Sequence, residues 1–171
     1  MRDSSGEHDQ AAEALSRRFP NVVFYNPLLT EVQDDVELGP GTRVGSFTLI
    51  HAGARVGANV TIGSHCNIHR CRIGDGVSIQ TGCHITMGVV VEDHAFVGPG
   101  VVTLNDMHMD GELTFPRIGR GAKVGGGSVI LPGISVGAAA VVGAGSVVTR
   151  DVLEGAIVVG NPARARATET R

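Results

Sequence analysis

Asn105, Asp106, His108, Asp110 and Glu112 lie within eight residues of one another. An amide, carboxylates and an imidazole so close together can orient a nucleophile and receive its proton. The amide suits an amine, which is already nucleophilic once neutral and needs placing more than it needs a base. The imidazole suits a hydroxyl, which must lose its proton to react. Asn105-Asp106 is also the kind of pair that starts a loop, because both side chains bond nearby backbone. His84 approaches this cluster through the repeat described below. His8 carries no signal, and His51, His65, His69 and His94 are expected at the surface or at subunit contacts. Cys66, Cys71 and Cys83 form neither a CxxC pair nor an even disulfide set, so they are expected reduced.

The elements that must position these groups follow from one period. From Leu38 the chain divides into six-residue words: LGPGTR, VGSFTL, IHAGAR, VGANVT, IGSHCN, a shortened IHRCR, IGDGVS, IQTGCH, ITMGVV, VEDHAF, VGPGVV and TLNDMH. Met109 to Arg117 interrupts, and IGRGAK, VGGGSV, ILPGIS, VGAAAV, VGAGSV and VTRDVL follow. Seventeen of eighteen words begin with Leu, Ile or Val, Thr103 being the exception. Fifth places are usually small or β-branched: Thr, Ala, Val, Cys or Ser. This period matches neither an amphipathic helix nor an alternating strand. It fits a short strand followed by a turn, with the first and fifth places inward. Three words make a triangular coil of about 18 residues, and coils stack at ~4.8 Å per rung.

Phased into thirds, side one starts at Leu38, Val56, Ile73, Val91, Ile118 and Val136. Side two starts at Val44, Ile62, Ile79, Val97, Val124 and Val142, and side three at Ile50, Ile68, Ile85, Thr103, Ile130 and Val148. About six coils are predicted. Gly fills the second place in 10 of 12 words on sides one and two. On side three that place holds His51, His69, Thr86, Leu104, Leu131 and Thr149 instead. Cys66 and Cys83 take fifth places and point into the core, with Cys71 beside them as small buried hydrophobes. His84 closes a side-two word one rung below Val102, near the corner that carries Asn105. Nine residues leaving the stack at 109–117 must project as a loop, and loops on rigid scaffolds often carry function.

The coil is expected over 34–156. Residues 1–33 read as a lead-in with a short helix over 6–18, Ala11, Ala12, Leu15 and Phe19 to one side. Residues 157–171 read as a strand from Ile157 to Val159, a Gly160-Asn161-Pro162 turn and a polar, mobile tail from Arg166. The 171 residues include 25 Gly, five Phe, one Tyr and no Trp, so the core must be built from small and β-branched side chains. A net charge of −3 argues against general nucleic-acid binding. Residues 1–114 carry a balance of −7 and residues 115–171 one of +4, which suits a small phosphorylated anion. No apolar run reaches the ~18 residues of a membrane span. Met1 to Gln10 is polar without a signal-peptide core, and with three reduced cysteines a cytoplasmic location is expected.

The repeat resembles that of the hexapeptide-repeat parallel β-helix. The resemblance implies an all-β, left-handed coil; the spacing alone does not set the hand. Gly98-Pro99-Gly100-Val101-Val102-Thr103-Leu104-Asn105-Asp106 resembles the GPxVxFTND segment of bacterial nucleotide-amino-sugar N-acetyltransferases. Those include enzymes acting on dTDP-3-amino-6-deoxyhexoses and UDP-3-amino-glucuronate. Pro116-Arg117 resembles the pair that follows that segment, after a longer spacer here. The runs Gly143 to Val152 and Val159 to Arg164 are similar as well, and the likeness covers roughly residues 34–166. It implies acetyl-CoA as acyl donor, an amino-sugar acceptor, and a homotrimer with sites between neighbouring coils. On the same ground Asn105 would hydrogen-bond the acceptor amine. Asp106 would accept a proton or bind an acceptor hydroxyl, with His84 or His108 assisting. Gly126, Gly127, Gly143 and Ala144 would border the pantetheine arm, and Arg150, Arg164 and Arg166 would meet the phosphates. Family members often carry Trp-Asp one coil before the Asn. Thr86-Met87 stands there in this chain, so the acceptor pocket is expected to differ.

Two other readings stay open. One is an O-acetyltransferase on a sugar or antibiotic hydroxyl, with His84 or His108 as base. The other is a metalloenzyme like the γ-class carbonic anhydrases, which share the fold and bind zinc with three histidines across a subunit boundary. His65 and His69 resemble two of those ligands at a spacing one residue shorter, and no third His takes an obvious partner position. The acyltransferase reading expects no metal.

Overall fold

The last residue of one word and the first of the next form a two-residue strand, as in Arg43–Val44, Leu49–Ile50 and Arg55–Val56. Places two to four turn the corner, and place five returns to the interior. Every first-place residue from Val44 to Val148 is buried, Thr103 included. The strands stack in parallel into three sheets, one per side of the triangle. Registers such as Val44↔Ile62 and Ile62↔Ile79 set one β-branched side chain above another. The computed structural model describes residues 4–166 and is an all-β parallel β-helix with a single α-helix.

It is longer than the six coils expected, with about eight turns. Side two stacks parallel strands from Val23–Phe24 to Ile157–Val159. Val23–Phe24 pairs with Arg43–Val44, and Glu31–Val32 pairs with Leu49–Ile50. These residues wind a first turn although they lack the glycines that mark the later words. At the far end Val152 pairs with Val136, so it takes a first place rather than the fifth of VTRDVL. Val158 then takes the next first place, paired with Val142. Arg164–Ala165 turns back antiparallel on Ile157–Val159 and ends the side-two sheet.

Helix α1 (Ser4–Arg18) packs beside the first turn. Of its expected apolar side, Ala12 and Leu15 are half-buried, while Phe19 just beyond it is buried, 6.1 Å from the ring of Phe24. Arg18 anchors the helix by donating to the carbonyls of Val32 and Gln33. The side chain of Ala11 and residues 167–171 of the expected tail lie outside the described residues.

The corners explain why the three sides differ. A Cβ on Gly63 would lie 2.5 Å from the backbone nitrogen of Thr81, and one on Gly119 would lie 2.6 Å from that of Ala138. On sides one and two the next coil's backbone passes over the second place, so most words need Gly there. The corner after side three leaves room, and side chains occupy it. The fourth place has a separate requirement, positive φ. Phe47 (58°), Asn59 (56°), His65 (57°), His94 (58°) and Ala139 (54°) meet it without being Gly.

Inside, hydroxyls at fifth places donate to the next coil, Thr42 to Gly57 O at 3.0 Å and Thr48 to Gly63 O at 2.8 Å. Cys66 and Cys83 do the same with their thiols, to Gln80 O and Gly98 O, each at 3.1 Å. All three cysteines are free and buried, and burial pushes the Cys71 thiol up to about 12.

Candidate active site

One rung loses register. His84 pairs with Val102, but Ile85 has no partner in Thr103. The N–H after a first place normally donates to the coil above, as His69 does to Ile85 O at 2.9 Å. Thr86 N–H donates instead to Thr103 Oγ1, at 2.9 Å. That hydroxyl also lies 3.0 Å from Thr86 Oγ1 and 3.3 Å from His84 O. A threonine begins this word because its hydroxyl replaces a ladder bond lost where the chain turns outward.

The chain then leaves as a hairpin. Asn105 O accepts from Thr114 N–H at 2.9 Å, and Asp106 bridges Leu113 antiparallel. The ladder resumes at Pro116, whose carbonyl accepts from Val90 N–H at 3.2 Å. The excursion therefore runs from Asn105 to Phe115, displaced toward the N-terminus from the 109–117 expected. Asp106 organises it. Its Oδ1 accepts from the backbone of His108 at 3.2 Å and Met109 at 2.6 Å, and its Oδ2 accepts from Gly111 at 3.0 Å. These bonds, the one from Gly111 foremost, hold its carboxyl below the usual range. Asn105 is half-buried at the root, and its Nδ2 donates to Met87 O at 3.1 Å. Its Oδ1 accepts nothing among the described residues. His108 is exposed, as are Met107, Met109, Leu113 and Phe115.

His84 faces outward on side three, with its ring 5.1 Å from that of His69. His69 stacks on His51 at 4.1 Å and 8°, and His51 Nε2 lies 2.8 Å from Asn67 Oδ1. Three histidines far apart in sequence thus form one column over three coils. Burial, then the neighbouring His51, lowers the pKa of His84. Burial, then His51 and His84, lowers that of His69. His65 instead stacks on Phe47, 4.8 Å away, at the corner before side three. It and His69 stand at opposite ends of that side, so within one chain they do not face a common point. Among the described residues, no group of three or more His, Cys, Asp or Glu is arranged to hold a metal ion.

Gly126, Gly127, Gly143 and Ala144 gather at the corner between sides two and three. A Cβ on Gly127 or Gly145 would meet nothing within 4 Å, and one on Gly82 or Gly100 would meet only backbone 3.9 Å away or farther. Other fourth places accept Asn, His, Phe or Ala at a similar φ, so space does not demand glycine at these four. Gly82, Gly100, Gly127 and Gly145 make a bare strip four coils tall. The fourth places of the side-two words carry this signal in the sequence, and attention to the second places passes over it. At the top, Gly160 N–H donates to Ser146 Oγ at 3.0 Å and Ala163 N–H to Val147 O at 2.8 Å. That crossing leads to Arg164 and Arg166, both exposed.

The expected site residues therefore fall into separate groups. Asn105, Asp106, His108 and Arg150 belong to the corner after side three. The glycine strip belongs to the corner before it, and His84 lies between. Crossing side three takes roughly 15 Å of strand, so one chain alone does not join the two corners.

Two family models match the chain: "Hexapeptide repeat of succinyl-transferase" over residues 53–93 and "Bacterial transferase hexapeptide (six repeats)" over residues 115–150. Nodulation protein L of Rhizobium meliloti (strain 1021) is 41% identical over 120 residues, 64% of this chain and 60% of that protein. The mitochondrial gamma carbonic anhydrase 2 of Arabidopsis thaliana is 30% identical over 102 residues, 53% of this chain and 37% of that protein. The chain thus spans less than two thirds of these relatives' own lengths. Among solved structures, PerB from Caulobacter crescentus, in complex with CoA and GDP-perosamine, is 25% identical with a TM-score of 0.54. That match covers 91% of this chain and 64% of PerB. No helix among the described residues is long and apolar enough to cross a membrane. Period, parallel coils and family models agree that the chain is built of hexapeptide repeats, with the bacterial transferase form of the repeat matched over residues 115–150.

Proposed function

We propose that this chain is an acetyl-CoA-dependent N-acetyltransferase whose acceptor is an amino sugar linked to a nucleotide, on a coil wound left-handed as the sequence resemblance implies. The observation that carries the reading is the amide of Asn105. One N–H of its Nδ2 is held by Met87 O and turns the amide so that its Oδ1, without a partner among the described residues, is the acceptor offered to a ligand. An amide oxygen accepts an N–H from a neutral amine and orients its lone pair without protonating it. The amine nitrogen attacks the thioester carbonyl and gains a positive charge, and its surplus proton leaves as the thiolate departs. His84, whose pKa is lowered by burial and then by His51, is the proton acceptor on this surface, and His108 is the alternative at the loop. Asp106 serves by holding the loop in place, because its oxygens are already turned to backbone N–H groups.

Acetyl-CoA lies along the bare glycine strip, where no Cβ intrudes between pantetheine and backbone. Gly126, Gly127, Gly143 and Ala144 border it, and Arg164 and Arg166 stand at the end where its phosphates lie. The acceptor corner and the donor corner occupy opposite ends of side three. A homotrimer that sets the loop of one chain against the strip of the next joins them, and brings Arg150 to the donor from the neighbouring chain. The exposed Met107, Met109, Leu113 and Phe115 support such a contact. The binding of CoA and GDP-perosamine by PerB supports the choice of donor and acceptor class.

A second reading, O-acetylation with His84 as base, is favoured by the lowered pKa of that imidazole. Calorimetric titration with acetyl-CoA, with metal content read on the same sample, tests both against the metalloenzyme. Saturable binding without stoichiometric metal upholds acyl transfer. No binding, with about one metal per chain, overturns it. Turnover of Asn105→Ala and His84→Ala then separates amine from hydroxyl acceptors.

A further inference from the structure

We propose that the corner after side three carries an anion site, formed by the short word IHRCR in the middle of the stack, and that it takes the diphosphate of the acceptor. The site itself stands on its own geometry; its assignment to the acceptor rests on the function proposed above.

IHRCR has no fourth place. The coils below and above it have Gly53 and Gly88 there, which carry no side chains. The corner is therefore notched, and a depression of ≈ 370 Å³ opens there, lined by Arg55, Arg70, Cys71 and Arg72 with Asp35 also on its wall. Three arginines line it, and among the described residues only Arg55 has carboxylate partners. Arg55 pairs with Asp35 at 2.9 Å and Glu37 at 3.2 Å. Arg72 lies directly opposite Arg55 in the sheet, with Val90 on its other side, and makes no ion pair among the described residues. Arg70 reaches only the sulfur of Met87, at 3.3 Å. The other arginines near this face are matched, Arg117 with Glu92 and Arg120 with Asp93. Like charges on facing rungs repel. Among the described residues Arg70 and Arg72 thus have no ion-pair partner of their own, although Glu37, Glu92 and Asp93 line the neighbouring depression beside Arg72.

The position of the notch points to its ligand. Arg70, Met87 and Asn105 are third-place residues on three successive coils. Met87 touches both neighbours, through its sulfur and its carbonyl oxygen. Two rungs, about 10 Å of stacked backbone, separate Arg70 from Asn105. The methylenes of Arg70 lie over Gly53 on the coil below while its guanidinium touches the Met87 sulfur, so a hexose ring has to bridge from that guanidinium to Asn105. The ring of Phe115 lies against Gly88 and walls the path between them. Guanidinium forks match phosphate oxygens in pairs. Two forks at one corner suit a diphosphate, with the amine of the same molecule at Asn105.

Inorganic pyrophosphate is the probe. Titration into the wild-type protein should show saturable binding that weakens as salt rises. Arg70→Gln combined with Arg72→Gln should weaken it at least about tenfold, and Lys123→Gln, on side two, should leave it unchanged. Arg72→Gln alone keeps the fold testable, since it relieves the repulsion with Arg55. It should melt no lower than wild type and still bind more weakly. No binding by wild type, or equal binding by the variants, overturns the anion site. CoA also contains a diphosphate, so the titration is repeated with CoA at saturation. Persisting pyrophosphate binding upholds the acceptor assignment; displacement by CoA overturns it. If acetyl-CoA fails to bind in its own titration, the acyltransferase reading falls, while the anion site is still judged by the variants.

Discussion

Asn105 is tied to the coil below it by one hydrogen bond, from its Nδ2 to the carbonyl of Met87 at 3.1 Å. The bond fixes the orientation of the amide and leaves its Oδ1 without a partner among the described residues. Removing the amide should leave the coil intact, because the side chain supports no core packing. Asn105→Ala should lower kcat with an amino-sugar acceptor about 100-fold, the scale of a misplaced reactant. Steady-state turnover and thermal melting, measured together, check this. Unchanged turnover removes Asn105 from the mechanism.

Thr103 is buried and spends its hydroxyl on the N–H of Thr86. Thr103→Val keeps the shape and leaves that N–H without its partner. The cost should be about 1–2 kcal/mol, read from urea unfolding. Thr103→Ser should recover most of it, since the hydroxyl returns. If Val and Thr are equally stable, the hydroxyl does not replace the missing rung.

Asn59 shows that a fourth place accepts Asn at positive φ, and Gly127 has the corresponding place on another corner with open space around it. Gly127→Asn should therefore fold, with little change in melting temperature. Its side chain would stand in the bare strip and raise the Kd for acetyl-CoA about tenfold or more, a change of ~1.4 kcal/mol. Undiminished affinity places the donor elsewhere.

His69 and His84 have pKa values below the ordinary 6.5 in the folded chain, with burial the largest cause for each. As pH falls through 6.5, the unfolded chain takes up protons that the folded chain resists. Their contribution to stability is therefore complete above that value and declines below it, until the folded imidazoles titrate too. The melting temperature should drop across this interval. His69→Gln combined with His84→Gln should flatten the drop. An equal slope in the variant would assign the pH dependence to other groups.

Much of the fold was legible from residue types alone. First and fifth places point inward because each word repeats one local geometry, and the burial of Val44 to Val148 and of the three cysteines follows from that rule. The break near Asn105 was legible for the same reason, since an interrupted period must leave the stack. The first turn was not. Val23–Phe24 and Glu31–Val32 lack the glycine signature, and only the coil above them gives them partners. The anion notch was written in the sequence as one missing residue, but its charge depended on which carboxylates the neighbouring coils supplied.

The six-residue period by itself determined that this chain is a stacked coil with a loop at one corner, and it named Asn105 at the root of that loop. Tertiary structure decided what meets what. Stacking sets each residue against one about 17 or 18 positions away, and each short word changes that offset. His51, His69 and His84 become a column by this means, whereas His65 and His69, four residues apart, are separated by a side of the triangle. The same geometry commits Asp106 to its loop and parts Asn105 from the glycine strip. Sequence order records only the distance along the chain, while contact in a coil depends on the register between turns.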